Sequence, residues 1–107
     1  MRPAFHASRA ARLHELLDGL SPSQRAALEQ ARYGLLMRRA HDGRFVLGAL
    51  SGRQSHARAD IDALTAAGLL TVCATDFRAV TPLGKRVALL SQQRRASFQR
   101  SHGGRHG

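Results

Sequence analysis

The sequence predicts a mainly α domain carrying one small β-hairpin, and three features lead to that class. Ser21-Pro22 and Thr81-Pro82 each set a capping hydroxyl ahead of a proline at the first helical position. Apolar residues recur at helical spacing as far as Ala67, and beyond Gly68 the pattern changes to two short runs around a polar Thr75-Asp76 pair. With 107 residues, 43% of them apolar, the chain can build one compact core and not two. The expected organisation is one domain over 1–93, with an N-terminal helix at 3–18 and a core at 21–93, followed by a basic flexible tail at 94–107.

The first helix rests on Leu13, Leu16, Leu17 and Leu20, with Asp18-Gly19 as its stop. Ser21-Pro22-Ser23-Gln24 starts the second, since Gln24 can reach back to the cap. That helix is expected to run to about Ala40, burying Leu28, Ala31, Leu35 and Leu36 and turning Arg25, Arg32, Arg38 and Arg39 outward. Asp42-Gly43 makes a turn, Arg44-Phe45-Val46-Leu47 a brief strand, and Gly48, Ser51 and Gly52 a loop. A third helix is expected over 55–67, with Ala57, Ile61 and Leu64 inside and Gly68 as its C-terminal cap. Its outward arc carries Ser55, Arg58, Ala59, Asp62 and Ala66, all small or polar. Residues 69–81 read as a hairpin in which the lone Cys73 is a buried, reduced thiol. Leu83, Val87 and Leu90 define a last helix, expected to fray after Gln93.

Charge narrows the function classes. Lys+Arg number 17 against 7 Asp+Glu, for a net charge of +10, and every cation but Lys85 is Arg, the side chain suited to bidentate phosphate contacts. Asp60, Asp62 and Asp76 form an acidic middle, and no acid follows residue 76. A polyanionic partner is expected, met by parts of several elements.

The order of helix, short strand, helix ending in Ala66-Ala67-Gly68-Leu69-Leu70, hairpin and Thr81-Pro82-Leu83-Gly84-Lys85-Arg86 resembles a winged helix-turn-helix domain with an extra N-terminal helix. MarR-type transcriptional regulators are the family it resembles, over about residues 21–91. The resemblance implies a recognition helix at 55–67 and a wing at 69–81. It departs from that family in having a strand-like stretch, Phe45 to Gly52, where a full helix normally precedes the recognition helix.

The implied function is sequence-specific binding of double-stranded DNA by a small transcriptional regulator. Arg53, Gln54, Ser55, His56, Arg58, Ala59 and Asp62 would meet base edges and phosphates at the helix N-terminus. Arg78 on the wing, and Arg94 and Arg95 after the last helix, would hold the DNA backbone. The terminal helices offer two stripes that would suit a homodimer. Asp60 and Asp62 favour the alternative of an adaptor for a protein partner, and the basic arms would also serve RNA or ribosome association. His102 and His106 lack further ligands for a metal, and no nucleophile elbow, phosphate loop or paired-carboxylate motif indicates an enzyme. No cofactor is expected. No run reaches the roughly 18 apolar residues of a membrane span, and the start lacks the apolar core of a secretory signal, so a cytoplasmic, nucleoid-associated protein is expected.

Overall fold

The structure, a computed structural model, describes residues 2–48 and 54–103, with side chains over 9–48 and 54–99. Its elements are α1 (Arg2–Asp18), α2 (Pro22–Ala31), β1 (Leu36–Arg38), β2 (Phe45–Leu47), β3 (Ser55–His56), α3 (Arg58–Ala66), β4 (Leu70–Ala74), β5 (Phe77–Val80) and α4 (Pro82–Gly103). The strands form one antiparallel sheet in the order β3-β2-β1-β5-β4. The chain is thus a small α/β domain, not the mainly α one with an isolated hairpin that its sequence predicts. The difference arises at residues 36–38 and 55–56, which are strands where helix is expected.

At the first of these, α2 begins as predicted. Ser21 Oγ accepts from Gln24 N–H at 3.2 Å, and Gln24 Oε1 accepts from Ser21 N–H at 3.1 Å. The helix stops at Ala31 rather than near Ala40, its last turn closed by Tyr33 N–H donating to Gln30 O at 3.0 Å. Past Gly34 the chain alternates: Leu35 is exposed and Leu36 fully buried, the period of a strand. β1 then bonds to β2 on one side and β5 on the other, and central sheet pairing outweighs helix propensity.

Register places Leu36, Phe45, Leu47 and Leu70 on one face of the sheet, where they join Leu17, Leu28, Ile61, Leu64 and Val87 from the four helices in a single core. Leu13, Leu16 and Leu20 of the first stripe, and Leu83 and Leu90 of the second, pack against the same core. Both stripes therefore pack against the domain's own core. Cys73 is exposed rather than buried: only Leu70 of β4 lies in the core, and the register shifts between Val72 and Ala74. α4 continues beyond Gln93 through Gly103, so residues 94–103 are helix and not flexible tail.

Gly68 and Gly84 fix the junction of helix, hairpin and helix. Gly68 ends α3 in the left-handed region at φ +79°, with open space around its Cα. Gly84 is helical, and a Cβ there would stand 2.1 Å from the Leu69 carbonyl oxygen and 2.8 Å from Val80 Cγ2. Gly84→Ala, which helix propensity alone scores as a gain of about 1 kcal/mol, is expected to cost at least about 3 kcal/mol. Gly68→Ala, strained but uncrowded, is expected to cost about 1–2 kcal/mol. Urea midpoints at unchanged m-value measure both, and the reverse ranking would refute the close approach.

Candidate nucleic-acid interface

α3 starts without a side-chain cap: Ala57 holds the N-cap position in extended conformation, and Asp60 in the first turn complements the helix dipole. Ile61 and Leu64, both fully buried, set the inner face. Arg58, Ala59, Asp62, Ala63 and Ala66 are left exposed on the outside. Arg58 Nε stands 3.6 Å from Asp62 Oδ2, with side chains 67% and 55% exposed. Such a pair contributes only about 0.3–0.5 kcal/mol, and its effect is to orient the guanidinium.

Ser55 and His56, expected at the N-terminal end of this helix, belong to β3 instead, opposite Val46 and Phe45. Ser55 Oγ accepts from Arg44 Nε at 2.6 Å and its carbonyl from Arg44 Nη2 at 3.1 Å. His56 is only 4% exposed. Its Nε2 donates to Gln30 Oε1 at 2.7 Å, which fixes the tautomer because an amide oxygen only accepts. Gln30 Nε2 in turn donates to Gln54 Oε1 at 2.9 Å, so Gln54 is exposed but already engaged. Strand pairing with β2 sets Ser55 against Arg44 and turns His56 toward Gln30 of α2, so neither joins the exposed face of α3. Arg53 lies outside the described residues.

The cations expected to meet the DNA backbone are also engaged within the domain. Arg78 Nη1 donates to the carbonyls of Ala74, Thr75 and Phe77 at 3.3, 3.1 and 3.0 Å, and its guanidinium lies 5.2 Å from the Phe45 ring centroid. It closes the hairpin turn, helped by Arg38 Nε donating to Asp76 at 2.8 Å. Arg94 donates to Asp18 at 2.6 Å and to His14 Nδ1, holding the Asp18 carboxyl below its ordinary value chiefly through that Asp18 bond. Arg95 donates to Glu29. Of the predicted set, α3 keeps Arg58, Ala59 and Asp62 together on one exposed face, and the described others do not join them. Gln30 and Arg44 hold His56 and Ser55, and no local sequence signal marks them, because only strand pairing brings them there.

No protein family, characterised protein or solved structure matches the chain. Among the described residues, no group of three His, Cys, Asp or Glu side chains could hold a metal ion, and no helix is long and apolar enough to cross a membrane.

Burial, with the nearby Arg44 charge, holds His56 below the ordinary imidazole value of 6.5, and Asp60 opposes this only in part. The unfolded chain therefore takes up this proton first. The stability that neutral His56 contributes is present above the unfolded value and is lost as pH falls through 6.5 and on through the lower folded value. Urea midpoints are expected to fall between pH 7.5 and pH 5, and His56→Gln, which can keep a donor toward Gln30, is expected to flatten that fall. Equal slopes for the two proteins would show that His56 is not buried in the neutral form.

Proposed function

We propose that the protein binds double-stranded DNA through the exposed face of α3, in a winged helix-turn-helix arrangement whose wing is the β4–β5 hairpin. The observation that carries this reading is the outer face of α3 itself. It holds one exposed guanidinium, Arg58, oriented by Asp62 among Ala59, Ala63 and Ala66, and so is slim enough to enter a major groove. The helix is anchored by Ile61 and Leu64 and leads through Gly68 into a hairpin whose second strand bonds to β1. A helix beside a sheet of three strands in the order β1-β5-β4 resembles the core of a winged helix. The β1–β2 hairpin and β3 occupy the place of the helix that normally precedes the recognition helix.

The net charge of +10 supports a polyanionic partner. Arg12, Lys85 and Arg86 are exposed with no acidic partner among the described residues, leaving cationic surface free for phosphate. A transcriptional regulator in the cytoplasm or nucleoid is the role this reading entails. A second reading, an adaptor for a protein partner, is favoured by one observation: Asp60 and Asp62 outnumber Arg58 on α3.

Fluorescence anisotropy with a labelled duplex, titrated over salt, tests the DNA reading. Affinity is expected to fall steeply with salt, and Arg58→Ala to weaken the preferred duplex about tenfold while sparing random duplex. Undetectable duplex binding at low salt, or equal loss on both duplexes, would sink the base-reading role of α3.

A further inference from the structure

Between α1, α2 and α4 lies a cavity of about 480 Å³ that the DNA reading does not use. Its lining includes the apolar Leu17, Pro22, Ala26 and the largely exposed Phe98. Arg25, Arg94 and Arg95 line it as well. Three cations around one small cavity repel one another unless something holds them, and two are held. Arg94 is bound by Asp18, and Arg95 by Glu29, whose other oxygen accepts from Ser91 Oγ at 2.5 Å. Glu29 is 8% exposed, and both of its oxygens are occupied. Arg25 has no such carboxylate: it makes no ion pair among the described residues. Its Nε is shut off from solvent without a hydrogen-bond partner there.

A guanidinium with no carboxylate partner is a cation open to an anion, and here it belongs to a side chain that lines a cavity of ligand size. The surplus is one positive charge, and much of the remaining lining is apolar. We propose that the cavity binds an amphiphilic organic anion, a monocarboxylate on a short apolar body, with the carboxylate on Arg25 and the body against Leu17, Ala26 and Phe98. Arg25 can meet a carboxylate end-on through its two Nη groups, a two-point geometry that favours arginine over a point charge. Inorganic phosphate would leave the apolar wall unused. A neutral amphiphile would leave Arg25 unpaired.

This proposal does not rest on DNA binding, and its test contains no nucleic acid. The full chain is titrated calorimetrically with octanoate, octanol and inorganic phosphate in turn, and amide NMR shifts are followed at Arg25, Ser91 and Phe98. Octanoate is expected to bind one per chain, at least tenfold tighter than either control, and to move those three amides. Arg25→Gln is expected to weaken octanoate at least tenfold, while Arg12→Gln, an exposed arginine that does not line the cavity, leaves it unchanged. The three-ligand comparison needs no substitution, so it decides the matter even if Arg25→Gln unfolds. Octanoate binding no tighter than octanol or phosphate, shifts elsewhere on the chain, or wild-type affinity in folded Arg25→Gln would each overturn the assignment.

Discussion

The backbone of Leu69 is engaged from three directions, and the relative placement of α3, the hairpin and α4 follows from it. Its N–H donates to Leu64 O at 2.9 Å, closing α3, and its carbonyl accepts from Thr81 N–H at 3.1 Å, closing the hairpin. Thr81 Oγ1 donates to Gly68 O at 2.7 Å and accepts from Gly84 N–H at 3.0 Å, so one side chain joins the end of α3 to the start of α4. Because residue 84 has no Cβ, α4 can lie directly against the Leu69 carbonyl. With α4 in that position, Val87 enters the core beside Leu64 and Leu70. A helix displaced by one methyl group would open a gap along that whole contact, and close-packed interiors tolerate such gaps poorly.

The same economy governs the acids. Asp18, Glu29, Asp42, Asp62 and Asp76 are each paired with an arginine. Two of these pairs, Asp18–Arg94 and Glu29–Arg95, tie α4 to α1 and α2 beyond the point where its apolar stripe ends. That is why the helix persists past Gln93: exposed pairs contribute little alone, but Glu29 is buried and also takes the Ser91 hydroxyl, and charge-assisted bonds to a buried carboxylate are stronger. Arg94 and Arg95 read from sequence as loose cations for a polyphosphate because their partners lie far away along the chain.

Local signals in the sequence were reliable, and signals that depend on distant pairing were not. The capping hydroxyls of Ser21 and Thr81, the turn at Asp42-Gly43, the left-handed Gly68 and the β4–β5 hairpin are each decided by a few consecutive residues, and each stands where predicted. Leu35-Leu36-Met37 and Ser55-His56 read as helix from sequence because apolar spacing of short runs fits either period, and the sheet that claims them is assembled from five strands spread along the chain. Cys73 was misplaced for a related reason: an apolar run says that a strand is present, not how far along it the core extends. At the candidate interface, Arg58, Ala59 and Asp62 were legible because α3 turns its outer face by simple helical geometry. Arg78 was not, since nothing local indicates that a hairpin arginine will fold back over Phe45 and cap its own turn.

The loss of Ser55, His56 and Arg78 from the outer surface changes the kind of recognition that α3 could perform in the proposed role. A face with Arg58 as its one cation, Asp62 four residues on and small residues between offers few donors for base edges, and the wing tip spends its guanidinium on its own carbonyls. Attraction to a polyanion then comes from the whole chain, through cations such as Arg12, Lys85 and Arg86 that no described acid neutralises, and it reaches only about 8 Å at physiological ionic strength. Discrimination falls to a single oriented arginine and to how closely a groove can fit around alanines. In the proposed role such an interface would read groove shape and deformability more than a string of bases. The side chains that the sheet takes from α3 in building the core are the ones that a base-reading helix would most need.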